Sequence, residues 1–63
     1  MISLLSTLPA SASKEDKVFA AIQDIVGKQI VSVVNEASKY CFKCFDGEIK
    51  AIDMDFVNDF AGV

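Results

Sequence analysis

The chain has no histidine, no tryptophan and no arginine among its 63 residues, and it has only one proline and three glycines. Without histidine it lacks the side chain whose charge changes near neutral pH and that most often serves as general base. Without arginine it lacks the fork that grips phosphate and guanine bidentately, which argues against nucleic acid as a partner. The three glycines stand apart, so no phosphate-cradling loop exists. Serines are plentiful, but no histidine can activate one. Composition still permits lysine-paired serine chemistry, but a domain this small offers little room for a substrate pocket. The expectation is a protein that is not an enzyme and carries no cofactor.

Long apolar runs are also missing. The stretch from Ile2 to Leu8 is broken by Ser3, Ser6 and Thr7 and preceded by no lysine or arginine. It therefore reads poorly as a secretory signal, although Ala10-Ser11-Ala12 resembles a cleavage site. It is equally poor as a membrane anchor, having no cation to meet anionic lipid. With only two cysteines and no disulfide framework, a reducing, cytoplasmic setting is expected, without a membrane association.

What the chain does have is apolar mass. Hydrophobic residues make up 52% of it and its mean hydropathy is +0.39. A domain of this size buries only about 60% of the surface its unfolded chain exposes. Some of the apolar surplus must then reach the surface, where contiguous patches usually mark an interface. The charge is unevenly spread. Residues 1–45 carry five lysines against four acids, a net of +1, and residues 46–63 carry five acids against Lys50, a net of −4.

Local patterning gives the elements. Residues 1–12 form an apolar arm stopped by Pro9 and a small-residue linker, and residues 13–63 form a single α+β domain. Ser13 followed by Asp16 approximates a capping box. Val18, Phe19, Ile22, Ile25 and Val26 then share one arc of a helix predicted over 14–26, with Gly27 closing it. Ile30, Val31, Val33 and Val34 crowd β-branched residues into five positions, which favours a strand over 29–34 rather than a continued helix. Residues 35–38 make the turn. Asp46-Gly47 between apolar runs predicts a two-residue hairpin loop. That register pairs Phe45 with Glu48, Cys44 with Ile49 and Cys41 with Ile52. One ribbon face then collects Tyr40, Phe42, Cys44, Ile49 and Ala51, and the other collects Cys41, Lys43, Phe45, Glu48, Lys50 and Ile52. After Asp53 a short helix is expected, capped by Asp53 or Asp55, with Phe56, Val57 and Phe60 inward and Gly62 at its end. The fold class is thus α+β in the order αβββα: arm, helix, three antiparallel strands, short helix.

Three groups of residues compete for a functional role. Cys41 and Cys44 are separated by an odd number of positions, so in a strand their thiols face opposite ways. A structural zinc site needs four ligands, so a dimer would have to complete one; this is the alternative to plain structural cysteines. Asp46, Glu48, Asp53, Asp55 and Asp59 form an acidic group, at odds with EF-hand spacing, that suits a partner with a basic surface. Phe45 and Ile52 on the mixed hairpin face, with Ile2, Leu4 and Leu5 of the arm, form the apolar candidate, unless the arm folds back over that face. Met1 and Met54 suit the same role. The expected function is a small interaction module, self-associating as a homodimer or higher homo-oligomer, that binds a larger protein and modulates or inhibits it. A phage or mobile-element source is the expectation for so short a chain. A structural subunit of a homo-oligomer is the alternative.

Overall fold

The computed structural model describes residues 4–63. Ile2 and Met1 lie outside the described residues. The order of elements is a single 3-10 turn at Leu5–Thr7, helix α1 at Lys14–Val26, strands β1 at Ile30–Glu36, β2 at Lys39–Cys44 and β3 at Ile49–Asp53, and helix α2 at Met54–Ala61. The sheet is antiparallel in the order β1-β2-β3. This is the expected α+β architecture.

Helix α1 begins where Ser13 Oγ accepts the Asp16 N–H, and it ends where Gly27 turns left-handed at φ 74. Only glycine takes that conformation without a Cβ penalty. Its buried positions are Val18, Ala20, Ala21 and Ile22, with Ala21 and Ile22 fully enclosed. The small Ala21 lets the helix approach the sheet closely. Ile22 fills the centre against Ile30, Tyr40, Phe42, Cys44 and Val57. The side-chain oxygen of Gln23 accepts the Ile30 N–H at 3.0 Å, fixing the path from α1 into β1.

Strand β1 is longer than predicted, reaching Glu36, because Ala37-Ser38 alone makes the turn to β2. Ala37 sits at φ 55, a left-handed conformation that costs an L-residue about 1–2 kcal/mol. The register slips between Ile30 and Ser32, so Val31 is a bulge.

The second hairpin departs from the predicted register by one residue. Cys44 N–H donates to the Glu48 carbonyl at 2.7 Å and Gly47 N–H donates to the Cys44 carbonyl at 2.9 Å, enclosing a three-residue loop. Gly47 takes φ 94, and the Asp46 side chain accepts the Glu48 N–H at 3.0 Å. A two-residue type I′ loop would need positive φ at Asp46 as well as Gly47. The longer loop needs it only at the glycine. The consequence spreads along β3, since a one-residue slip reverses every side chain. Tyr40 now faces Ile52, Phe42 faces Lys50, and Cys41 faces Ala51. Ile52 packs against the core instead of lying on the open face, and Ile49 is turned out, 72% exposed.

Helix α2 is capped by Asp53, whose carboxylate accepts the N–H groups of Asp55 and Phe56. Its inward residues are Val57, fully buried, with Met54 and Ala61. Phe56 and Phe60, expected inward, are 53% and 47% exposed. The reason is an anchor: Tyr40 O–H donates to Asn58 Oδ1 at 2.9 Å, holding Asn58 beside the sheet. At 100° per residue that rotation sends Phe56 and Phe60 outward.

The described part of the arm, from Leu4 on, does not cover the hairpin. The N–H groups of Leu4 and Leu5 both donate to the Asp24 carboxylate at 2.8 Å, tying the arm to α1. Leu5 packs on the core from that side and Leu4 is exposed. Both helices lie on one face of the sheet, and among the described residues no element covers the outer face.

Because Ala37 is strained by its left-handed φ, Ala37→Gly should raise unfolding free energy by up to about 1 kcal/mol in a urea titration.

Candidate interaction surfaces

Alternation along β2 sends Tyr40, Phe42 and Cys44 into the core and Lys39, Cys41 and Lys43 to the outer face. Val34 of β1 lies opposite Cys41 there, and Ala51 of β3 flanks it from the other side. With Ile49 nearby and Val34 at 55% exposure, this face carries apolar side chains between Lys39 and Lys43, with Glu36 and Asp53 beside Lys39. It is the surface the sequence anticipated, but Ile49 and Val34 occupy it in place of Ile52.

The two thiols are therefore divided, with Cys44 buried in the core and Cys41 half-exposed outside. They do not converge on one ion, and among the described residues no three acidic or thiol groups gather in a metal-binding cluster. Cys41 Sγ is 4.0 Å from a carboxylate oxygen of Glu36.

The acidic group splits into two. At the hairpin tip, Lys28 Nζ lies 3.3 Å from Asp46 and 3.5 Å from Glu48, and Lys50 lies 2.8 Å from Glu48. The Asp46 carboxyl is held below its ordinary value by the Glu48 backbone N–H and then by Lys28. Glu48 is lowered first by its hydrogen bond to Lys50 and then by Lys28. Lys28 is raised by both acids, Asp46 first. These charges are satisfied locally and remain in solvent, where ion pairs add little to stability. Phe45 projects beside them, 73% exposed. At the other site Asp53 is occupied as the α2 cap, while Asp55 and Asp59 stand one turn apart on the exposed side of the helix.

What the sequence reading missed is the outward stripe of α2. Phe56 and Phe60 stand one turn apart on it, both exposed, and Val63 is exposed just past the left-handed Gly62 that ends the helix. Val57 and Ala61 were enough to serve the core, so α2 and the chain end beyond it are apolar on two sides. Their spacing was legible; which side faced inward was not.

A groove of about 650 Å³ runs between the first half of α1 and the free edge of β1. Lys14, Glu15 and Phe19 line one wall, Val33 and Asn35 the other, and Tyr40 contributes to its lining. Ser32 and Lys14 both border it, with no hydrogen bond between them. No helix among the described residues is long and apolar enough to cross a membrane. No protein-family model, curated protein or solved structure matches the chain.

Two measurements follow from these positions. In the native protein a thiol reagent should modify Cys41 within minutes and Cys44 only on unfolding, giving one fast thiol per chain. The carboxyls of Asp46 and Glu48, depressed in the folded state, contribute stability above their unfolded values that is lost as pH falls through the folded ones. The raised Lys28 contributes below its unfolded value and loses that contribution as pH rises through the folded one. Lys28→Ala should move both carboxyl titrations upward in a carbon-detected NMR series, and molar salt should do the same to the unaltered protein.

Proposed function

We propose that this chain is a non-catalytic protein-interaction module that self-associates and binds a larger protein, modulating or blocking it. The observation that carries the reading is the second apolar side of α2. Phe56 and Phe60 present anchors one turn apart, a spacing by which an amphipathic helix enters a groove, and Val63 is exposed just beyond the helix end. Folding does not need them there, because the core is already closed by Val57. Asp55 and Asp59 run beside the two phenylalanines, each one position ahead. A complementary partner has an apolar groove with lysine or arginine along one rim, and such charges chiefly speed encounter and exclude wrong partners. Phe45 at the hairpin tip and Leu4 on the arm are further exposed anchors.

A second reading, an assembly subunit, is supported by the open sheet, whose two edges β1 and β3 have no neighbouring strand among the described residues. Light scattering at micromolar concentration separates the two, since a modulator stops at a small closed oligomer and an assembly subunit grows.

The double variant Phe56→Ser with Phe60→Ser should change unfolding free energy by about 1 kcal/mol, about 0.5 for each half-exposed side chain. The same variant should lose any partner that the unaltered chain captures from a lysate of its source cells. Undiminished capture by a variant with unaltered circular dichroism would remove α2 from the interface.

A further inference from the structure

We propose that β1 pairs antiparallel with β1 of a second copy of this chain, about a two-fold axis at Val34, joining the two sheets into one. The proposal rests on the self-association read above and names its surface.

The two edges of the sheet differ. Strand β3 has five residues, carries Lys50, and runs directly into α2 through the Asp53 cap. Strand β1 has seven residues, Ile30–Glu36, with neither lysine nor proline, the usual guards of a free edge. Its one irregularity, the bulge at Val31, lies near the start and leaves Ser32 to Glu36 regular. Glu36 and Lys39 flank a two-residue turn, so they form a hydrogen-bonded pair. By alternation Val34 and Ser32 also bond to β2, and the amides of Val33 and Asn35 point off the sheet.

Those amides fix the register. With the axis at Val34, Val33 opposes Asn35 of the second copy and Asn35 opposes its Val33. Both pairs join off-edge groups and exchange two hydrogen bonds each. An axis at Val33 would instead set Asn35 against the bulged Val31, where the ladder is broken. The two Val34 side chains, each 55% exposed in the single chain, then meet on the outer face as a non-hydrogen-bonded pair with Cα atoms about 4.5 Å apart.

Charge selects the occupant. A two-fold interface must be self-complementary, and the charges bordering this edge include both signs. Lys14 and Glu15 both border the groove. The chosen axis sets Glu36 of the second copy opposite Ser32, whose neighbour in the next strand is Lys43. The small serine leaves the glutamate and lysine free to meet over it, twice by symmetry. A strongly basic or acidic peptide would find no matching surplus here, whereas a second copy does.

The test uses Val34→Cys in a Cys41→Ser background, because Cys41 pairs with position 34 in the same chain and would compete. Mild oxidation should convert this variant to a covalent dimer, and Phe60→Cys in the same background should give none above chance. Val34→Lys should weaken the dimer about tenfold or more by sedimentation equilibrium, with unaltered circular dichroism. If the unaltered chain is a dimer yet Val34→Cys does not cross-link and Val34→Lys does not dissociate it, pairing through β1 is overturned while self-association stands. A monomer at tens of micromolar overturns both.

Discussion

The contact on which the rest of this structure depends is the closure of Ile22 against Tyr40, Phe42, Cys44 and Val57. Ile22, Cys44 and Val57 are the largest side chains fully removed from water, and they come from three different elements. Ala21 beside Ile22 brings α1 down onto the sheet, and Asn58 accepting the Tyr40 hydroxyl brings α2 down beside it. Because both helices close on the same face, the described residues form one core and leave the other face of the sheet uncovered. That asymmetry is the source of one of the apolar surfaces, and the outward side of α2 is another.

A small domain with 52% hydrophobic residues cannot hide them all, and here the excess falls into order. Part of it lies on the outer face of the sheet, around Val34 and Ile49. Part lies along α2 and just past it, in Phe56, Phe60 and Val63. The charges nearby differ in kind. Those at the hairpin tip, Lys28, Asp46, Glu48 and Lys50, neutralise one another within the chain. Asp55 and Asp59 do not take part in that network, and they flank the aromatic pair. An interface with a dry centre and a charged rim needs such an arrangement. The edge of β1 and the outward side of α2 are built from different residues, so the pairing proposed for β1 does not use Phe56 or Phe60.

The local elements were readable from short-range chemistry. Ser13 and Gly27 mark the ends of α1, Asp53 and Gly62 mark those of α2, and β-branched crowding marks β1. In each case one side chain or one backbone conformation decides the matter within a few residues. The division of Cys41 from Cys44 was readable for the same reason, since alternation in a strand requires nothing but the strand. Three other features needed information from farther away. The arm was readable as apolar, but its place on α1 depends on Asp24, about twenty residues distant in sequence.

By itself, then, the sequence determined which segments are helix and strand, their order, and an excess of apolar side chains over what so small a core can hold. Tertiary structure alone decided which of those side chains are left outside. The register of the second hairpin turned on whether Asp46 or only Gly47 would take positive φ, and that choice exchanged Ile49 for Ile52 at the surface. The rotation of α2 turned on a hydrogen bond between Tyr40 and Asn58, which put Phe56 and Phe60 in water. Composition and periodicity are local sums, blind to a slip of one residue or a turn of a helix about its axis. Packing resolves both, because only one of the alternatives closes the core.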